Sequence, residues 1–264
     1  MQGEKGVKLQ GTMSDSALAR ALALVRDLRA RCPWDRAQTP QTLRPYLVEE
    51  VLELDQALKH DAAAALRDEL GDLLLHLAFQ IVIGEERKTL DAESVTRALE
   101  EKMWRRHPQL FGHAETPDHD AWERAKQRER GEGRGTLGGL PPTLPALLMA
   151  FRLQERAGGV GFDWPDPNGP LAKVKEELGE LERETGEGKR ERLEDEIGDL
   201  LFAVVNLARK LAIDPRAALE RANDKFTRRF EAMELLAEQR GIEIGRATLD
   251  ELDRLWDEVK GQSL

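Results

Sequence analysis

One pattern of acidic residues occurs twice in this chain with the same internal spacing. The first half reads Glu49-Glu50-Val51-Leu52-Glu53, then Glu69-Leu70-Gly71-Asp72-Leu73-Leu74. The second half reads Glu176-Glu177-Leu178-Gly179-Glu180, then Glu196-Ile197-Gly198-Asp199-Leu200-Leu201. Sixteen positions separate Glu53 from Glu69, and sixteen separate Glu180 from Glu196. Equal spacing in both halves argues for one structural unit used twice.

The duplication extends in both directions. Upstream lie Cys32-Pro33-Trp34-Asp35 and Gly161-Phe162-Asp163-Trp164, each behind an apolar helical stretch, at about 17–30 and 144–156. Downstream lie Lys102-Met103-Trp104-Arg105-Arg106 and Lys225-Phe226-Thr227-Arg228-Arg229, then Trp122-Glu123 and Trp256-Asp257. Glycine and proline crowd the stretch from Gln127 to Pro145, and at that density they break helices and mark a linker. The expected division is a first module at 14–126, a linker at 127–143 and a second module at 144–264. Met1 to Thr12 reads as a polar, disordered tail.

Within each module the pattern is helical. In the second, helices are expected near 144–156, 170–184, 190–212, 215–240 and 248–260. Thr185-Gly186-Glu187-Gly188 is the expected turn between the second and third. Asp214-Pro215 caps the fourth, with proline at the first helical position. Leu, Ala, Glu and Arg dominate over one Tyr and seven Phe, usage that favours helices over sheets. The expected fold class is all-α, with two tandem modules of four-helix-bundle type. Short helical hairpins must pack their apolar stripes on one another.

Glu177 and Glu180 stand three apart, so both lie on one helix face. Glu196 and Asp199 repeat that spacing on the next helix. A tight turn makes these helices antiparallel neighbours, and four carboxylates then converge. Close like charges repel, and partial burial raises the cost. A hard divalent cation supplies the missing charge and prefers oxygen ligands. Mg²⁺ fits best where phosphate oxygens complete its shell. Glu50, Glu53, Glu69 and Asp72 form the equivalent set in the first module. A single Glu pair at helical spacing is usually a solvated face. Here two pairs recur at one separation, and Asp72 and Asp199 each open an apolar run, which favours metal binding.

Other candidates are weaker. Lys225 and Arg229 share a helix face and have no acid three or four positions away. Beside a carboxylate–metal site they are sensible ligands for a polyphosphate; alone they read as a solvated basic face. Trp256 can stack on a base or pack as core, and by itself reads as core. His76, on an apolar helix, reads as a hydrogen-bonded core histidine. His107, His113 and His119 follow no zinc spacing.

The net charge of −10 makes nucleic acid an improbable main partner, since a surface that binds phosphate broadly is normally basic. The single cysteine, Cys32, forms no internal disulfide and suits a reducing compartment. No apolar run reaches the length of a membrane span, and a cytoplasmic protein is expected.

Glu-Glu-x-x-Glu followed by Glu-x-x-Asp resembles the signature of the MazG-type, all-α nucleoside triphosphate pyrophosphohydrolases. Cys32-Pro33-Trp34-Asp35, Arg106-His107-Pro108, Gly161-Phe162-Asp163-Trp164 and Asn206-Leu207-Ala208-Arg209 resemble stretches of the two-domain bacterial members. The resemblance runs from about Leu18 to Lys260. It implies Mg²⁺-dependent cleavage of NTPs or dNTPs to monophosphate and pyrophosphate, a house-cleaning of nucleotide pools, by a homodimer. Mn²⁺ is an implied substitute metal. By position it implies Glu177, Glu180, Glu196 and Asp199 as ligands in a catalytic second module, with Glu176 assisting. Arg192, Lys225 and Arg229 are the implied phosphate contacts, and Trp256 the nucleoside contact. In the first module it implies a secondary site at Glu49, Glu50, Glu53, Glu69, Asp72, Lys102, Arg106 and Trp122.

Two rival readings compete. A di-iron carboxylate protein wants Glu-x-x-His, and neither Glu69 nor Glu196 has a histidine three residues on. A non-enzymatic module would bind nucleotides without cleaving them.

Overall fold

A computed structural model of the chain describes residues 16–60, 62–107, 110, 135–187 and 189–261. Its described residues form ten helices and no strand, and the chain divides into two compact units. None of these helices is long and apolar enough to cross a membrane.

The first unit holds α1 (Ala17–Arg31), α2 (Pro33–Ala37), α3 (Pro40–His60), α4 (Ala63–Glu86) and α5 (Ala92–Arg106). Ser16 caps α1 by accepting the Ala19 amide at 3.1 Å. Leu22 and Val25 of α1, Leu43 of α3, and Ala78, Phe79, Val82 and Ile83 of α4 form the core. Arg29, also buried, ties three segments together. Its guanidinium donates to the Asp35 and Gln38 carbonyls and pairs with both oxygens of Glu86. The short α2, which carries Pro33, Trp34 and Asp35, is thus clamped onto the end of α4. α5 starts at a capping box between Asp91 and Ser94 and buries no side chain completely.

The second unit holds α6 (Ala146–Gly158), α7 (Asn168–Glu187), α8 (Arg190–Lys210), α9 (Pro215–Gln239) and α10 (Leu249–Gly261). α7 and α8 form the most extensively packed pair, α6 lies on α8, and α9 pairs with α10. Met233 and Ala237 of α9 meet Leu255 and Val259 of α10 in a separate small core. Arg156 of α6 donates to the carbonyls of Leu137 and Gly138, so the end of the glycine-rich stretch is fastened to this unit.

The turn expected at 185–188 begins later. Thr185, Gly186 and Glu187 are helical, and the Thr185 hydroxyl donates back to the Glu182 carbonyl at 2.7 Å within the helix. Gly188 lies outside the described residues, as do Met1 to Thr12 and residues 127–134 of the expected linker. α8 stops two residues short of the expected end, where Ala212 takes a left-handed φ of 56°.

Candidate metal centre and active site

The α7–α8 hairpin brings the four carboxylates of the second module together. One oxygen from each of Glu177, Glu196 and Asp199 lies within 4.8 Å of the other two, and the same holds for Glu176, Glu177 and Glu180. Glu177 belongs to both groups and is 4% exposed. Burial raises the Glu196 pKa, and repulsion from Glu180, Glu177, Asp199 and Glu184 raises it further. Glu196 Oε2 and Glu184 Oε2 are buried without a hydrogen-bond partner. Buried acceptors normally find a donor. Unpartnered oxygens inside a carboxylate cluster suit a site built to hold a cation. The donor set, all oxygen, fits a hard divalent ion.

Glu184 escaped the reading of the sequence, although it continues the face of Glu177 and Glu180 at helical spacing. Lys173 escaped it as well. Its ammonium lies 2.6 Å from Glu177 Oε1 and 2.7 Å from Glu176 Oε1, and these two acids push its pKa well above the usual lysine range. Lys173 therefore carries its charge at any working pH. The signal was present in the sequence as acids at i,i+3 and i,i+4.

Trp164, Lys173, Glu177, Asp199, Phe202 and Asn206 line a cavity of about 170 Å³ beside the carboxylates. Trp164 and Asn206 are what the Gly161-Phe162-Asp163-Trp164 and Asn206-Leu207-Ala208-Arg209 stretches contribute to its wall. Asp163 accepts from Arg209 at 2.5 and 3.0 Å and from Lys210 at 3.2 Å, and Lys210 also donates to the Trp164 carbonyl. Arg209 holds Asn206 Oδ1 at 2.8 Å. Burial works against the Asp163 carboxylate, but these cations hold its pKa below the usual range. The Trp164 ring lies so close to Gly169 that a Cβ there would stand 2.0 Å from it. The loop thus presents an aromatic wall close to a charged cluster.

The remaining expected residues lie farther out. Arg192 pairs with Glu184 at 3.4 Å. Lys225 and Arg229 sit on α9, and among the described residues no ion pair joins them to the carboxylates. Trp256 is half-buried against the α9–α10 core and packs on Phe226, ring centroids 5.3 Å apart. Its observed contacts are those of a core residue.

In the first module, oxygens of Glu50, Glu53 and Glu69 gather within 4.8 Å of one another. Burial and the charges of Asp72 and Glu53 raise the Glu50 pKa; burial, Glu53 and Asp72 do the same for Glu69. Asp72 acts on both through its charge, although the group within 4.8 Å comprises Glu50, Glu53 and Glu69. Lys102 and Arg106 lie on α5, and Glu49 is exposed. Trp122 lies outside the described residues. The expectation of a hydrogen-bonded His76 is not met. His76 is buried, its Nδ1 has no partner, and its Nε2 is 3.7 Å from Glu50 Oε1. The helix turns it toward the acidic cluster because it follows Asp72 by four residues.

A family model described as the MazG nucleotide pyrophosphohydrolase domain matches the chain twice, at residues 38–111 and 167–233. The chain belongs to the MazG family. Both matches span a carboxylate hairpin and the helix after it, so the duplicated acids and the duplicated domain coincide. The chain is 44% identical over 232 residues to the nucleoside triphosphate pyrophosphohydrolase/pyrophosphatase MazG of Thermotoga maritima, covering 87% of this chain and 89% of that protein. It is 37% identical over 248 residues to the nucleoside triphosphate pyrophosphohydrolase of Escherichia coli K12, covering 91% and 94%.

Proposed function

We propose that this MazG-family chain hydrolyses nucleoside triphosphates, ribo or deoxy, to the monophosphate and pyrophosphate, using the second module as its catalytic unit. The observation that carries the reading is the partnerless, buried Glu196 Oε2 at the meeting point of Glu177, Glu180 and Asp199. These four acids are the ligands for Mg²⁺, with Mn²⁺ a workable substitute. When bound there, the cation supplies Lewis-acid stabilisation of charge on the polyphosphate.

The chain's own groups do the rest. Glu176, exposed beside the cluster, orients the attacking water and takes its proton. Lys173 brings a permanent positive charge to the cavity that the phosphates enter. Lys225 and Arg229 have no ion-pair partner among the described residues, which leaves both charges for the triphosphate, and Arg192 flanks it. Trp164 and the exposed part of Trp256 offer aromatic surface to the nucleoside. The homodimer reading has its own support. Leu70, Leu74 and Leu77 on α4 repeat at i, i+4 and i+7, as do Ile197, Leu201 and Val204 on α8, and all six are 38–55% exposed. Apolar stripes of this kind mark association surfaces. A cytoplasmic setting agrees with the lone cysteine.

The deciding experiment measures pyrophosphate release from a panel of NTPs and dNTPs with and without Mg²⁺. The expected result is metal-dependent release of pyrophosphate with stoichiometric monophosphate, abolished by Glu196→Ala while the helical circular dichroism persists. Nucleotide binding without turnover would instead establish the binding-module reading, and full activity in Glu196→Ala would overturn the assignment of the second module.

A further inference from the structure

We propose that the acidic cluster of the first module is a mixed nitrogen–oxygen site, in which His76 joins the carboxylates around a borderline divalent cation such as Mn²⁺, Co²⁺ or Zn²⁺. Its metal preference then differs from that of the all-carboxylate cluster in the second module. The inference rests on the reading of Glu50, Glu53, Glu69 and Asp72 as metal ligands.

The two modules treat their central carboxylate differently. Four residues before Glu177 stands Lys173, whose ammonium neutralises it at 2.6 Å. Four residues before Glu50 stands Tyr46, which carries no charge to offer and is 46% exposed. Four residues after Asp199 stands the buried methyl of Ala203; four residues after Asp72 stands the buried imidazole of His76. The first module has thus exchanged a fixed cation for a nitrogen donor on the opposite helix.

The placement of His76 suits ligation better than structural pairing. His76 is 8% exposed. Its Nε2 is 3.7 Å from Glu50 Oε1, too far for a hydrogen bond. Two donors each about 2.1 Å from one ion stand roughly 3–3.5 Å apart, so a small adjustment seats a cation between them. Nδ1 is buried without a partner, and a buried imidazole with an unpaired nitrogen is costly. Ligation through Nε2 would fix the ring and its tautomer. Imidazole suits Mn²⁺ poorly to moderately, and Co²⁺ and Zn²⁺ well, whereas Mg²⁺ takes oxygen.

The test uses the full chain carrying Glu196→Ala and Asp199→Ala, which silences the second module. Mn²⁺ is bound to it and examined by electron spin echo spectroscopy. The expected result is a ¹⁴N coupling that changes to ¹⁵N when histidine is isotopically labelled and disappears in His76→Gln. Titration calorimetry is expected to show Co²⁺ or Zn²⁺ affinity lowered about ten- to a hundredfold by His76→Gln. Mg²⁺ affinity should change by less than about threefold. The labelling arm leaves the core untouched and needs no substitution at His76. Mn²⁺ bound without nitrogen coupling, together with an unchanged Co²⁺ or Zn²⁺ affinity in His76→Gln, overturns the role of His76 and leaves the carboxylate site standing. No metal bound at all overturns both.

Discussion

Lys173 and Glu177 form a 2.6 Å ion pair across one turn of α7, and Glu177 is almost wholly buried. A fixed ammonium therefore sits on the carboxylate that is central to the cluster. It lowers the electrostatic cost of assembling that cluster without a metal, and it competes with the metal for the same oxygens.

Lys173→Met should consequently separate two properties. Apparent Mg²⁺ affinity is expected to rise, because the competing cation is gone. Turnover is expected to fall about a hundredfold, because a donor that meets the polyphosphate is lost. Calorimetric Mg²⁺ titration and steady-state pyrophosphate release read the two effects. Weaker Mg²⁺ binding in Lys173→Met would show that the lysine supports the metal rather than standing in for it.

Gly169→Ala tests the aromatic wall. The added methyl would stand 2.0 Å from Trp164 Cδ1, and the backbone it grows from is the first turn of α7. The Trp164 ring must leave its place, while the α7 carboxylates about two to three turns further on keep theirs. Displacing a positioning group by about 1 Å can cost about a hundredfold in rate, so kcat/KM for NTP should fall strongly with metal affinity preserved. An unchanged kcat/KM excludes Trp164 from the substrate site.

The helices and the acidic convergence were legible because both depend on local spacing. Glu177 with Glu180, and Glu196 with Asp199, share faces by helix geometry alone, and a short turn fixes which faces meet. Asp214 and Pro215 announced the start of α9 and cap it as expected. What spacing could not reveal was direction across helices. Lys173 stands four residues before Glu177, but spacing does not show that this acid is the buried one. His76 looked like core, yet its ring turns toward Glu50. Lys225, Arg229 and Trp256 follow the right order in the chain, but α9 packs chiefly on α10. Helix order does not dictate that choice.

Charge placed on the α8 stripe tests association. Leu201 is 55% exposed and lies between Ile197 and Val204 on one face. Leu201→Glu puts an unpaired carboxylate where a second copy would bury the surface, which should weaken a dimer about a hundredfold or more. Sedimentation velocity should show the wild-type chain as a dimer and the variant as a monomer at the same concentration. A wild-type monomer would leave the stripe without the proposed partner.

The metal-free cluster should also make stability depend on pH in an unusual direction. The Glu196 pKa stands above the ordinary 4.5, through burial first and then the charges of Glu180, Glu177, Asp199 and Glu184; Glu50 and Glu69 are raised in the same sense. A raised carboxyl pKa means that the folded state holds the proton more tightly than the unfolded chain. The stabilising contribution is therefore complete below about 4.5 and is lost as pH rises through the elevated value. In EDTA, Glu196→Gln should raise the Tm at pH 7 and gain less than the wild type on acidification, while abolishing turnover. Mg²⁺ should stabilise the wild type more at pH 7 than at pH 5, since it binds the ionised acids. Scanning calorimetry decides the matter: a metal-free Glu196→Gln variant that gains as much as the wild type on acidification, or whose Tm at pH 7 falls, would mean that the acids do not repel one another as their geometry requires.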